Sequence, residues 1–236
     1  MKENLNITYL DAGDIAEIMA LEKKVCIPLI QASEETILKR FARGNFMIGV
    51  RMNDALVGSL GFRYGNFSLD NRDEFTKNFR EFSTPHEKPS TYNAGFIYSV
   101  NVDPEHRTLA VHKGCAKGLR ATGIGKALFV NAIKKMREDK CDFLVGDGRP
   151  TFYNGSHDFP HERYDQAPHL KDLLDKCAAG HELTPGEGAE IMEYPIFRAY
   201  NKFVGGGFEV AWVIPGFFPS DTPTGGFRVI LYKRLT

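Results

Sequence analysis

The chain has 236 residues, of which 42% are hydrophobic and 25% are charged, a composition typical of a folded protein. Thirty Lys and Arg residues balance thirty Asp and Glu residues, so net charge gives no general affinity for nucleic acid or an anionic membrane. No apolar run reaches the roughly eighteen residues that a membrane span needs. Collagen, coiled coils, membrane proteins and disulfide scaffolds are therefore excluded as classes.

The cysteines and the N-terminal residues indicate a cellular compartment. The four cysteines are scattered and show no zinc-binding spacing, which favours reduced thiols and no metal site. The first residues contain no apolar signal-peptide core. We therefore expect a cytoplasmic protein.

Alternating and helically spaced apolar residues predict strands and helices along the chain. The first helix begins at Asp14, with Glu17 as the partner in a capping box. Asn53 and Asp54 form a tight turn between two strands. The predicted elements, in order, are a strand at 5–9, helices from Asp14 to before Pro28 and from Ser33 to Gly44, strands at 46–52, 56–64 and 94–102, a helix opening at 123–125, a strand at 141–147, a helix at 195–204, and strands at 208–213 and 227–235.

Three stretches lack clear periodicity and are interpreted as irregular insertions in a single domain spanning 1–236. They cover about 65–93, 108–119 and 148–194. Long loops inside a compact domain usually have a functional role. The element order predicts an α/β fold with a mixed, mostly antiparallel sheet of about six to seven strands, flanking helices and one parallel crossover. It does not fit the strict alternation of a doubly wound fold.

The loop before the helix that opens near Gly125 carries the most information. Glycines let a backbone approach a phosphate closely, and the free N–H groups of a helix N-terminus bind anions. A Walker A loop is excluded, because Arg120 and Ala127 stand where that motif needs Gly and Ser or Thr. A dinucleotide-binding loop lacks its third glycine at Leu128. Arg120, Gly123 and Gly125 do satisfy the pattern Arg-x-x-Gly-x-Gly.

The charge around this loop points to a polyanionic ligand. The segment 106–126 contains five basic residues and no acidic ones, although the whole chain is neutral. The segment is short and lacks interleaved aromatic residues, so we expect no nucleic-acid partner.

With the Val-Asn-Val-Asp-Pro strand end before it and an amphipathic helix after it, the glycine loop resembles the GNAT superfamily of N-acetyltransferases over nearly the whole chain. Residues Gly148-Arg149-Pro150, 207–210 and 215–219 also resemble acetyltransferase-like domains fused to carbon–nitrogen hydrolases. In the family, the loop wraps the pyrophosphate of acetyl-CoA and the fourth strand pairs with the pantetheine arm. The residues that this implies for acetyl-CoA (coenzyme A) binding are Val100, Asn101, Val102, Arg120, Ala121, Thr122, Gly123, Ile124, Gly125 and Lys126. Arg107 remains an alternative to Arg120 as the pyrophosphate arginine.

The resemblance implies transfer of an acetyl group from acetyl-CoA to an amine by direct attack on the thioester, on a small-molecule or peptide acceptor. Such a reaction needs a general base and an acid for the thiolate. Because the fourth strand has no carboxylate, Asp147 is the candidate base, with His157 and His161 as alternatives. Tyr200 is the candidate acid, although the family pattern places Phe203 at the tyrosine position.

Two other functions stay open from the sequence. One is a catalytically inactive CoA-binding module that serves as a sensor or partner domain. The other is a nucleotide-binding protein, which the failed glycine motifs disfavour. The late strands offer an edge for a homodimer.

Overall fold

The structure is a computed structural model that describes residues 5–26, 28, 31–81, 92–106, 110–111, 122–150, 168–221 and 224–235. Within these residues the strands are Leu5–Tyr9 (β1), Phe46–Met52 (β2), Ala55–Gly65 (β3), Ala94–Val102 (β4), Ala110–Val111 (β5), Thr122–Gly123 (β6), Phe143–Gly148 (β7), Glu209–Ile214 (β8) and Arg228–Arg234 (β9). The helices are Ile15–Val25 (α1), Glu34–Ala42 (α2), Arg72–Glu81 (α3), Ile124–Glu138 (α4), Pro168–Ala178 (α5), Pro185–Met192 (α6) and Pro195–Phe203 (α7).

Seven strands form one mixed sheet in the order β1-β2-β3-β4-β7-β9-β8, and β5 pairs with β6 separately. The pairs β1–β2, β2–β3, β3–β4 and β8–β9 are antiparallel. At the start of β4, the carbonyl of Asn93 accepts bonds from the N–H groups of Asp142 and Phe143 at the start of β7. These two strands therefore run in the same direction. The predicted fold class is confirmed.

The predicted hairpin is also confirmed, and Asp14 is the N-cap residue of α1 as predicted, but the predicted capping box with Glu17 is wrong. Asn53 and Asp54 have φ values of 48° and 69°, the left-handed pair that a two-residue turn requires. At the start of α1, the carboxylate of Asp14 makes no side-chain cap. It accepts a hydrogen bond from Arg51 at 2.6 Å, and so does Glu17. This arginine from β2 therefore engages both members of the expected capping box.

Two of the three stretches predicted to be irregular contain helices. Helix α3 lies in the first stretch, and α5 and α6 lie in the third. Helix α6 begins with a complete capping box between Thr184 and Glu187, with Pro185 in its first turn, and these are local start signals. The stretch 108–119 lies mostly outside the described residues, apart from Ala110–Val111, which pairs with Thr122–Gly123.

The chain forms two compact units. The first comprises Met1–Asn66, Phe82–Leu144 and Leu235–Thr236, and the second comprises Phe67–Glu81 and Val145–Arg234. The predicted single domain stays a prediction. Within the part of the chain that the structure describes, no helix is long and apolar enough to cross a membrane.

In the first unit, α1 and α4 pack on opposite faces of β3 and β4. The α4 face is marked by Gly58 and Gly95, where an added Cβ atom would meet Ile124 and Met136 of that helix. Asn101 points to the other face, where it bonds Glu22 of α1. Successive residues of a strand face opposite ways, so the end of β4 has one helix on each side.

In the second unit, α5 and α6 pack against β8. A Cβ atom on Gly148 would overlap the ring of Phe197, which is fully buried. Glycine at the end of β7 therefore lets α7 lie close to this strand.

Candidate functional site

The C-terminal half of β4 directs part of its backbone away from β3. The N–H of Asp103 donates to the carbonyl of Val57 at 2.9 Å. Because hydrogen-bonded and non-bonded positions alternate in an antiparallel pair, the register places the backbone bonds of Asn101 with β3 and directs those of Val100 and Val102 the other way. The backbone groups of Val100 and Val102 therefore have the direction that the predicted pairing with the pantetheine arm requires. The backbone of Asn101 is directed to β3 instead.

The first turn of α4 lies against the end of β4. Gly58 of β3 is opposite Val102, and a Cβ atom built on Gly58 would lie 2.5 Å from Cγ2 of Ile124. Only a residue without a side chain permits this approach. The fold therefore brings together the strand edge and the helix N-terminus on which the predicted cofactor site depends.

The N-terminus of α4 has the properties of an anion site. Its N-cap is Gly123, which has no side chain to cap the first N–H groups of the helix. The first turn of the helix contains no acidic residue. Gly125 and Lys126, both half-buried, follow in that turn. The first N–H groups of a helix have no partner within the helix and lie at the positive end of its dipole. Arg120 and Ala121, also predicted to bind the cofactor, lie outside the described residues, as does Arg107.

A buried polar cluster on the α1 side of β4 was missed from the sequence. The side-chain amide of Asn101 donates to Glu22 Oε2 at 2.7 Å, and the N–H of Ala32 donates to Oε1 at 3.1 Å. The thiol of Cys26 lies 3.5 Å from Asn101 Oδ1. Both oxygens of a buried carboxylate are thus engaged, which offsets the cost of burying it.

A signal for this cluster was present in α1. Glu22 falls at helical spacing among Ile15, Ile18, Met19 and Val25, on the face that packs into the core. A carboxylate on such a face requires a partner from elsewhere in the fold. The sequence alone does not say that this partner is the side chain of Asn101.

Asp103 closes the end of β4. Its carboxylate accepts bonds from Lys24 at 3.0 Å and from the N–H of Glu105 at 3.1 Å. Burial acts to raise its pKa, but these donors outweigh burial, so the pKa of Asp103 lies below the ordinary value. Ligand atoms of Asp103, Glu105 and His106 lie within 4.8 Å of one another. Lys24 and an N–H group already bond the Asp103 carboxylate. We therefore assign Asp103, Glu105 and His106 a structural role, in which they connect α1 to the end of β4.

Asp147, the predicted base, lies on β7 in the second unit. Its Oδ2 accepts a hydrogen bond from Arg228 Nε at 3.0 Å, and its side chain is 15% exposed. Burial raises its pKa above the ordinary value, and Arg228 offsets this effect only in part. A carboxylate with a raised pKa is a better proton acceptor near neutral pH. The sequence did not indicate the arginine partner.

The arginine that binds Asp147 belongs to a buried ionic network. Asp221 is fully buried and accepts two bonds from Arg149, from Nε and Nη2, each at 2.8 Å. Arg228 Nη1 lies 2.8 Å from Asp221 Oδ2. Burial acts to raise the pKa of Asp221, but the hydrogen bond from Arg149 and the charge of Arg228 outweigh it, so this pKa lies below the ordinary value.

Tyr200, the predicted acid, lies inside α7 and is half-buried. Its carbonyl accepts the N–H of Val204 in a helical bond. The glycines 205–207 follow the helix and have positive φ. Within the described residues, no hydrogen bond joins Tyr200 to Asp147. His157 and His161 lie outside the described residues.

Comparison with known proteins identifies the fold. No protein-family model and no curated protein matches the chain. It is similar to the loading GNATL domain of CurA from Lyngbya majuscula, with a TM-score of 0.65, 14% identity and 98% of each chain covered. It is similar to the GphF GNAT-like decarboxylase in complex with isobutyryl-CoA, with a TM-score of 0.65, 18% identity, and 98% and 100% coverage. The ribosomal-protein-S18-alanine N-acetyltransferase from Escherichia coli follows, with a TM-score of 0.52, 12% identity, and 98% and 94% coverage.

Proposed function

The chain has the GNAT fold, and from that premise we propose that it is an acyl-CoA-dependent N-acyltransferase. In the proposed reaction, acetyl-CoA is the donor and the acceptor is an amine of a small molecule or peptide. The amine attacks the thioester carbonyl, the C–S bond breaks, and the products are an amide and free CoA.

The position of α4 against β4 supports this proposal most directly. The pyrophosphate of CoA takes the first-turn N–H groups that follow Gly123, with Gly125 and Lys126 beside it. The pantetheine arm runs along the outward backbone groups of Val100 and Val102, in the manner of an added strand. Gly58 matters for the pyrophosphate site and for the pantetheine site, because its lack of a side chain lets the start of α4 lie against the end of β4.

Two side chains carry the proton transfers in the proposal. Asp147 accepts the proton that the attacking amine loses, and its raised pKa suits this role. Tyr200 donates a proton to the departing thiolate. A thiolate is an adequate leaving group without full protonation, so the contribution of Tyr200 is the smaller one.

Replacement of Gly125 tests the cofactor site. Gly125→Val places a branched side chain where the phosphate approaches the helix, so acetyl-CoA should bind at least about tenfold more weakly. The matched control is Val130→Ala on the exposed face of the same helix, which should leave the affinity unchanged. Equal affinity of Gly125→Val and wild type in calorimetric titration would remove this site from the proposal.

Turnover of two variants tests the catalytic roles. Asp147→Asn should lower kcat by about 10²–10⁴-fold, the usual contribution of a general base, with the affinity for acetyl-CoA unchanged. Tyr200→Phe should lower kcat by a smaller factor. Wild-type turnover in either variant would transfer that role to another residue.

Decarboxylation is a second candidate function, favoured by the TM-score of 0.65 with the GNAT-like decarboxylase. A decarboxylase takes a CoA thioester whose acyl group carries a carboxylate, so malonyl-CoA is the probe. Release of CO₂ without an amine would favour this function. Amine-dependent release of CoA from acetyl-CoA would favour acyl transfer. Binding of acetyl-CoA with neither activity would favour the inactive CoA-binding module.

A further inference from the structure

Four charged side chains of alternating sign form a series of ion pairs in the second unit. Arg149 binds Asp221, Asp221 binds Arg228, and Arg228 binds Asp147. The two middle members are almost completely buried, with side-chain exposures of 0% for Asp221 and 5% for Arg228. Asp147, at one end, keeps 15% of its side chain exposed. The network therefore terminates in a carboxylate that solvent reaches.

The Arg228 guanidinium is fixed on several sides. Nε donates to Asp147 at 3.0 Å, and Nη1 donates to the Phe227 carbonyl at 2.8 Å and to Thr224 Oγ1 at 3.3 Å. Its central carbon lies 4.5 Å from the ring centre of Phe218. A guanidinium held by this many contacts presents one defined N–H to Asp147.

We propose that Arg228 and Asp221 are positioning residues for Asp147: Arg228 holds that carboxylate ionised and in one orientation, and Asp221 holds Arg228. This inference rests on the proposed role of Asp147 as the base. Arg149 also holds Asp221 through two hydrogen bonds, one to each carboxylate oxygen.

The two neighbours act on Asp147 with opposite sign. Burial favours the neutral acid, the charge and hydrogen bond of Arg228 favour the carboxylate, and the charge of Asp221 favours the neutral acid again. Since Arg228 divides its charge between two carboxylates, Asp221 weakens the hold of Arg228 on Asp147. Removing Arg228 should therefore raise the pKa of Asp147, and removing the charge of Asp221 should lower it. A merely structural role predicts no such opposite pair of shifts.

The direct readout is ¹³C NMR titration of the Asp147 carboxyl carbon, whose signal is identified by its loss in Asp147→Asn. In Arg228→Gln the midpoint should rise by about one to three pH units, and in Asp221→Asn it should fall. Arg228→Lys keeps a cation, so its midpoint should lie between those of wild type and Arg228→Gln. Arg198→Gln, which removes an arginine from an exposed ion pair with Glu193, is the control and should not shift it. Each variant is titrated only after its circular dichroism spectrum matches that of the wild type. If Arg228→Gln does not fold, the midpoint of Arg228→Lys is compared with that of the wild type instead.

The acidic limb of the pH profile of kcat/KM should shift in parallel. A general base must be ionised, so the limb should move to higher pH in Arg228→Gln and to lower pH in Asp221→Asn. Shifts of the same sign, or no shift in either variant, would overturn the inference. Full turnover of Asp147→Asn would refute the base role instead, and the NMR midpoints would still report whether Arg228 and Asp221 control the carboxylate.

Discussion

At the scale of single residues, Gly58 is the residue on which the proposed cofactor site depends most. A methyl group there would lie 2.5 Å from Cγ2 of the buried Ile124, so Gly58→Ala forces α4 away from the end of β4. We expect the free energy of unfolding to fall by about 1–3 kcal/mol and acetyl-CoA to bind about tenfold more weakly. Chemical denaturation and calorimetric titration measure the two effects.

Gly188→Ala is the matched control for that variant. Gly188 lies in α6, and an added Cβ atom would lie 3.7 Å from the Cβ of Val210, an ordinary contact. Alanine is the better helix former, so this variant should gain roughly 0.5–1 kcal/mol of stability and keep the wild-type affinity. A stable Gly58→Ala variant with unchanged affinity would show that the close approach is dispensable.

The sequence predicts individual residues well where a local rule applies. The limits of β4, Ala94–Val102, follow from apolar residues followed by Asp-Pro, and the left-handed turn follows from Asn53-Asp54. The partners of charged residues are not local. Glu22 accepts a hydrogen bond from Asn101, which is 79 positions away in the sequence. Asp147 accepts one from Arg228, which is 81 positions away. Such pairs depend on how elements pack, so the sequence did not predict the partners of Glu22 and Asp147.

At the scale of elements, the start of α6 has a cap that is testable by itself. Thr184 accepts the N–H of Glu187 at 3.3 Å, and Glu187 accepts the N–H of Thr184 at 2.8 Å. Thr184→Ala removes half of this reciprocal cap, so it should cost about 1 kcal/mol and lower Tm by roughly 2–4 °C. Thr184→Ser keeps the hydroxyl and is the control. Equal melting of the alanine and serine variants would contradict the role of this cap.

The helices α3, α5 and α6 show where prediction from apolar spacing fails. Helix α3 is short and mostly polar, and the large apolar residues of the short helix α6, Ile191 and Met192, both lie at its C-terminal end, so the spacing signal of each helix is weak. Most of the stability of a short helix comes from packing against the rest of the fold, as α5 and α6 pack on β8. The capping residues Thr184 and Glu187 were the available local signal, and they lay in a stretch judged by apolar spacing alone.

At the scale of the whole molecule, the ionic network should make stability sensitive to acid. The folded-state pKa of Asp221 lies below its ordinary value of 3.8, so its contribution is fully present above that pH and is lost as pH falls through the folded pKa. We expect the free energy of unfolding of the wild type to fall more steeply below pH 4 than that of Asp221→Asn. Parallel slopes in denaturation series between pH 5 and pH 2 would contradict this.

The proposed function requires that an acyl-CoA binds at the end of β4 and the start of α4. Calorimetric titration of the wild-type protein with acetyl-CoA, beside ATP and NAD, measures this binding. We expect saturable binding of acetyl-CoA, no heat with ATP or NAD, and weaker binding in Gly125→Val. Absence of acetyl-CoA binding by a folded sample, or equal binding of ATP, would leave the fold without the proposed function.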